Sequence, residues 1–129
     1  MSLKITLKPD ERMIIGGAVI TNGSTGSNFV IENKVPVLRQ SDIMSEKTAD
    51  TPSRRIYLAI QLMYVDSENQ ATHYANYWNL IQDLIKAAPS MVGFVDQISE
   101  HIQSNRHYHA LKFTKKMINY EQEVLSRVQ

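Results

Sequence analysis

The segment Thr51-Pro52-Ser53-Arg54-Arg55-Ile56-Tyr57 carries the side chains best suited to chemistry in this chain of 129 residues. Thr51 is a good helix N-cap. Pro52 fits the first helical position, where a missing N–H and a fixed φ cost nothing. Positive charge in the first turn opposes the helix macrodipole by roughly 0.3 to 1 kcal/mol per exposed charge, so Arg54 and Arg55 are poor choices for helix stability alone. A helix N-terminus with free N–H groups and two guanidinium forks is a seat for a phosphate or a carboxylate. The alternative is pairing with Glu46, Asp50 or another acid of the same fold.

Further cations have the same two readings. Lys112, Lys115 and Lys116 stand at i, i+3 and i+4 on one face of the last helix, where they either meet phosphates or decorate a solvated surface. They lie in a stretch from Glu100 to Glu121 that holds no acid between its ends and contains Arg106, His101, His107 and His109. Lys4 and Lys8 fall in a second acid-free stretch, residues 1–9. Arg39 sits just past a strand read over Val35 to Leu38, with a surface ion pair to Asp42 as its bland reading. Tyr57, Tyr64, Tyr74, Tyr77, Trp78 and Tyr108 could stack on unpaired bases, although aromatics at helical spacing more often build the core.

A net charge of +1 lacks the basicity of many nucleic-acid binders, so any RNA contact must use a local patch. Catalytic signatures are missing. There is no phosphate-binding Gly-Lys-Ser/Thr loop, Gly16-Gly17 and Gly23 to Gly26 form no dinucleotide fingerprint, and cysteine is absent. His107 and His109 on one helix point apart and His101 lies across a helix boundary, so no metal site is expected. The chain reads as a non-enzyme without cofactor or small-molecule substrate. No apolar run approaches the roughly 20 residues of a membrane span, and the start Met1-Ser-Leu-Lys-Ile-Thr-Leu-Lys8 lacks a secretory core, so a soluble cytoplasmic protein is expected.

The elements that must position these groups divide into two halves. Leu3, Ile5 and Leu7 alternate with Lys4, Thr6 and Lys8 as in a half-buried strand. Runs at Met13 to Ile15 and Ala18 to Thr21 flank a Gly16-Gly17 turn, a loop covers residues 22–28, and runs at Phe29 to Glu32 and Val35 to Leu38 are joined by a two-residue turn at Asn33-Lys34. Pro36 makes the last strand an edge or a bulge. Ser41 or Asp42 caps a short turn through Met44. Helical periodicity then predicts a buried stripe of Ile56, Ala59, Ile60 and Met63, a second of Tyr74, Trp78, Ile81 and Ile85, and a third helix capped by Ser90 that buries Met91, Phe94, Val95, Ile98 and Ile102. The last helix starts near Asn105 and buries Ala110, Phe113, Met117, Tyr120 and Val124, reinforced by Leu111, Ile118 and Leu125. The fold class is α+β: an N-terminal antiparallel sheet of about five short strands over residues 1–43, then a four-helix half over 44–129 sharing one core with it. So small a sheet must pack on the helices or be completed by another copy, which makes a homo-oligomer an expectation.

Thr51-Pro-Ser-Arg-Arg-Ile-Tyr-Leu-Ala-Ile-Gln-Leu-Met-Tyr64, Asn33-Lys-Val-Pro-Val-Leu-Arg-Gln-Ser-Asp-Ile-Met44 and Tyr108-His-Ala-Leu-Lys-Phe-Thr-Lys-Lys-Met-Ile-Asn-Tyr-Glu121 together resemble the FlbT family of flagellin-synthesis regulators, over nearly the whole chain. The resemblance implies a small cytoplasmic protein acting after transcription. It would associate with the 5′ untranslated region of flagellin messenger RNA, repress translation or promote decay, and cooperate with FlaF, another small flagellin regulator. An adaptor that acts through FlaF or flagellin without touching RNA is the alternative. Residues 1–43 also resemble, more faintly, the carbon storage regulator family of five-stranded RNA-binding dimers. That likeness implies an RNA surface from Lys4, Thr6, Lys8 and Arg39.

Overall fold

The computed structural model describes residues 2–128 and divides into two compact units, one ending at Ile43 and the other beginning at Met44. The first unit is all β. Strand β1 (Leu3–Leu7) pairs antiparallel with β4 (Ser27–Ile31), placing Lys4 opposite Val30 and Ile5 opposite Phe29. Strands β2 (Arg12–Ile15), β3 (Ala18–Thr21) and β5 (Val37–Arg39) form a second antiparallel sheet in the order β3-β2-β5. Gly16, at φ 59°, makes the left-handed step of the β2–β3 turn that a side chain would strain. Ile5, Leu7 and Met13 form the buried cluster, with Ile15, Phe29, Ile31 and Val37 packed against it. Leu3 is 47% exposed, so the alternation of β1 buries only its last two apolar residues.

The expected hairpin across Asn33-Lys34 does not form. β4 pairs with β1, and β5 pairs with β2, with Ile14 opposite Leu38. Pro36 explains the break: it has no N–H to give a ladder, and its carbonyl instead accepts the Gly16 N–H at 2.7 Å. The loop between β3 and β4 is fixed by Asn22, whose amide donates to the carbonyls of Lys8 at 2.8 Å and Thr25 at 3.0 Å while its oxygen accepts from Ser27. A 3-10 turn over Gln40–Asp42 closes the unit.

The second unit holds four helices: α1 (Pro52–Val65), α2 (Gln70–Ala87), α3 (Val92–Gln103) and α4 (His107–Val128). α1 packs between α2 and α4, and α3 packs on α4. The α1 stripe lies as read from its spacing, with Ile56, Ala59, Ile60 and Met63 buried. α2 turns a different face inward. Tyr77, Ile81 and Leu84 are buried, whereas Tyr74 is 37% and Trp78 46% exposed. The buried set shares Ile81 with the stripe anticipated over Tyr74, Trp78, Ile81 and Ile85 and is rotated from it by about 60°.

Ser90 does not cap α3. It lies inside a 3-10 turn, Pro89–Met91, and no side chain caps the helix that follows. On α4 the apolar stripe stops early: Ala110, Leu111 and Met117 are buried, while Val124 and Leu125 are exposed. Among the described residues no helix is long and apolar enough to cross a membrane.

Candidate nucleic-acid interface

The N-terminus of α1 is built as its sequence dictates and then filled from within. Thr51 adopts extended backbone and its Oγ1 accepts the Arg54 N–H at 3.2 Å, and Pro52 occupies the first turn. The Ser53 N–H donates to Oε2 of Glu121 on α4 at 3.0 Å, and the Arg55 N–H donates to the Thr51 carbonyl at 2.9 Å. The positive end of the helix thus meets a buried carboxylate of the same chain, the partner the macrodipole favours there. The seat expected to await an outside anion is taken by Glu121.

The two arginines separate in role. Arg54 Nη1 lies 2.7 Å from Asp50 Oδ1, and its Nη2 donates to Gln122 Oε1 at 3.0 Å. The Arg54 guanidinium, with the charge of Arg55 adding to it, holds the Asp50 carboxyl below the usual range. Asp50 is thus the acid that takes Arg54, one of the partners weighed from the sequence. Arg55 is exposed and, among the described residues, has no hydrogen-bonded or ion-paired side chain.

In the β unit, Arg39 belongs to β5 itself. Its Nη2 donates to the Thr6 carbonyl at 2.9 Å and to Glu11 Oε2 at 3.2 Å, so one side chain ties the sheet containing β5 to β1. Glu11 is thus an acid partner of Arg39 that the sequence reading did not name. Glu11 is preorganised by the Lys8 N–H, which donates to its other oxygen at 2.9 Å. That backbone bond first, and Arg39 second, keep the Glu11 carboxyl below its ordinary range. The Arg39 Nε–H is enclosed and has no acceptor.

An open cleft of about 1040 Å³ lies beside this pair, lined by Thr6, Lys8, Asp10, Arg39, Gln40 and Ser41 among others. Lys8, just past β1, is exposed there without an ion-pair partner among the described residues, and Lys4, exposed on β1, lines a smaller hollow of about 290 Å³ with Asn28 and Val30. Thr6, Lys8 and Arg39 therefore do converge, with Asp10 and Glu11 balancing their charge.

On α4, Lys112 Nζ sits 5.2 Å from the Tyr108 ring centre and Lys116 Nζ 5.4 Å from that of Phe113. Lys112 and Lys116 are exposed and Lys115 is half-buried. Such cation–aromatic pairs are worth about 0.5 to 1 kcal/mol at exposed sites and present a charged, flat surface. The aromatic set divides: Tyr57 and Tyr77 are core, whereas Tyr74, Trp78 and Tyr108 reach solvent.

Sequence reasoning missed Glu121 and Glu11 as partners. Glu121, the first acid after the basic run that follows Glu100, was the available signal for the first; Glu11 gave none, because its role depends on the fold.

A profile of the family described as Flagellar protein FlbT matches residues 3–125. The probable flagellum biosynthesis repressor protein FlbT of Rhodopseudomonas palustris is 42% identical over 127 residues, covering 98% of this chain and all of that protein (100%). The probable flagellum biosynthesis repressor protein FlbT 1 of Bradyrhizobium diazoefficiens is 41% identical over 125 residues, with 96% and 85% covered. The flagellum biosynthesis repressor protein FlbT of Caulobacter vibrioides is 35% identical over 130 residues, with 99% and 92% covered. No solved structure matches.

Proposed function

The chain belongs to the FlbT family, and from that membership we propose that it represses flagellum biosynthesis by associating with the 5′ untranslated region of flagellin messenger RNA. The observation that carries the repressor reading is the match over residues 3–125, shared with curated relatives named flagellum biosynthesis repressors. The RNA-directed part is supported by two kinds of surface. One is the cleft beside Lys8 and Arg39 with Lys4 on β1, and the other is the cation–aromatic face of α4 with Lys112, Lys115 and Lys116. Arg55 adds an exposed guanidinium at the start of α1.

The mechanism is occupancy. A protein seated on the leader competes with ribosome initiation and leaves the message open to decay, so it needs no reaction centre of its own. Phosphates held by lysine and arginine release condensed counterions, so affinity for a single strand falls with salt by about 0.7 log units per contact and log unit of salt. The test is a titration of leader RNA at several salt concentrations. The expected result is a slope that becomes shallower in a Lys8→Ala, Arg55→Ala double variant. Failure of the parent chain to bind the leader at low salt overturns the RNA reading.

One observation favours a second reading. Arg39 and Arg54, the cations most central to the two units' candidate surfaces, rest on carboxylates of their own chain. An adaptor acting through FlaF or flagellin, as a homo-oligomer or alone, would use such balanced surfaces, and its binding would be far less sensitive to salt.

A further inference from the structure

A second cavity, of about 440 Å³, opens where α1, α2 and the α3–α4 connection meet, and its lining includes Met63, Gln70, Tyr74, Gln103, Asn105 and His107. His107 is the anomaly. It is only 8% exposed, yet its imidazole makes no hydrogen bond or ion pair among the described residues. Buried polar side chains in folded proteins nearly always have a partner. The His107 nitrogens are not among the fully enclosed unpartnered atoms, so the imidazole has open space beside it rather than a wall.

The rest of the lining restricts what could complete it. None of the lining residues is Asp, Glu, Lys or Arg, and burial pushes the His107 pKa down, which keeps the ring neutral at pH 7. A phosphate or a carboxylate would find no countercharge inside. What the cavity does offer is primary amides. Among the described residues the exposed side chains of Gln103 and Asn105 have no partner, and Gln70 spends one N–H on the Met63 carbonyl at 3.2 Å, leaving its oxygen to accept. Asn105 is held at φ 59° in the link between α3 and α4. Tyr74, 37% exposed, supplies an aromatic wall. Amides that both donate and accept, beside an aromatic ring and without charge, match the edge and face of a nucleobase. The volume accommodates a base with its sugar.

We propose that this cavity takes one unstacked base of a bound RNA strand, with His107, Gln103 and Asn105 hydrogen-bonding its edge and Tyr74 covering its face. The proposal rests on the RNA reading given above and adds to it a contact that carries sequence preference. Phosphate contacts on the lysines position the strand, whereas a base pocket discriminates between strands.

The test separates the two. Leader RNA carrying 4-thiouridine is crosslinked to the full chain and the peptides are mapped, while affinities of Gln103→Ala, Tyr74→Ala and Ala71→Phe variants are measured across a salt series. Ala71 lines the mouth of the same cavity and is exposed, so a phenylalanine there fills the opening without entering the core.

The expected result is crosslinking to peptides containing Tyr74 or residues 103–107, and a loss of about tenfold in affinity for each variant with the salt slope unchanged, since a base contact releases no counterions. Variants that bind the leader within twofold of the parent chain, with crosslinks only elsewhere, overturn the base pocket while leaving the RNA reading standing. Adenosine or uridine monophosphate competing as strongly as the leader would reassign the cavity to a free nucleotide and overturn it as well. Failure of the parent chain to bind RNA removes both claims.

Discussion

The Glu121 carboxylate caps the N-terminus of α1 by accepting the Ser53 N–H at 3.0 Å, across 68 residues of chain. It joins the last helix to the first at a point that local sequence cannot specify. Glu121 is 8% exposed and Ser53 fully buried, so removing the carboxylate leaves a buried N–H without an acceptor. Glu121→Ala should lower unfolding free energy by about 1 to 3 kcal/mol, and Glu121→Gln by less, because an amide oxygen still accepts but no longer brings charge to the helix end. Urea denaturation followed by circular dichroism measures both. Equal losses for the two variants would show that the cap works by shape rather than by charge.

Ser53 offers a prediction of the opposite sign. Its Oγ is buried and has no hydrogen-bond partner. Replacing it with alanine removes an unpaired hydroxyl and keeps the main-chain bond to Glu121. Ser53→Ala should therefore be neutral or stabilising by up to about 1 kcal/mol, readable in the same denaturation experiment. A loss above that range would reveal a partner for the hydroxyl.

How far the sequence carried can be judged at particular residues. Thr51 and Pro52 placed the start of α1, and Gly16-Gly17 placed the β2–β3 turn, because both signals act through the backbone of the residue that carries them. Pairings between distant elements were not legible. The alternation at β1 announced a strand but could not say that β4 would be its neighbour, and Pro36 showed that the last strand was compromised without showing that β5 would join β2. On α2 two apolar stripes overlap, one through Tyr74 and Trp78 and one through Tyr77 and Leu84, and only the packing against α1 chooses between them. The same limit hid Glu11 from Arg39 and Glu121 from Ser53. The candidate surfaces show it too: the cationic residue types were visible, but which cations the fold neutralises was not.

Tyr77 gives an alkaline prediction. Its hydroxyl shares a hydrogen bond with Ser99 Oγ at 2.8 Å, and burial raises its pKa from 10.0 to about 12. The unfolded chain therefore loses this proton first, so the contribution of the neutral phenol is complete below pH 10 and fades as pH rises toward 12. The loss is at most about 3 kcal/mol. Stability measured over that interval should fall more steeply for the parent chain than for Tyr77→Phe. Parallel curves would mean that the phenol ionises freely in the folded state.

His107 gives the acidic counterpart. Burial lowers its pKa below 6.5, so between the folded and unfolded values the unfolded chain binds the extra proton. Stability contributed by the neutral ring is complete above about pH 6.5 and declines as pH falls below it. A His107→Gln variant should lose this slope in denaturation curves collected across the mildly acidic range. An unchanged slope would assign the acid sensitivity to other groups, among them the hydrogen-bonded carboxylates of Glu11, Asp50 and Asp66.

The Arg39–Glu11 pair separates fold from RNA contact. At 3.2 Å and with the guanidinium 42% exposed, the ion pair is worth only about 0 to 1 kcal/mol to stability. Glu11→Gln should therefore fold nearly as well as the parent chain while removing one negative charge from the rim of the cleft and loosening the hold on Arg39. If the cleft takes phosphate, this variant should bind leader RNA several-fold more tightly and with a steeper salt dependence, because Arg39 then spends its charge on the strand. Arg39→Ala should do the reverse, and it also loses the bond to the Thr6 carbonyl that links β5 to β1. Tighter binding by Glu11→Gln is a gain that misfolding cannot mimic, which makes it the more telling of the two. Unchanged affinity in a well-folded Glu11→Gln chain would take the cleft out of the RNA surface and leave Arg39 a purely structural tie between the two sheets.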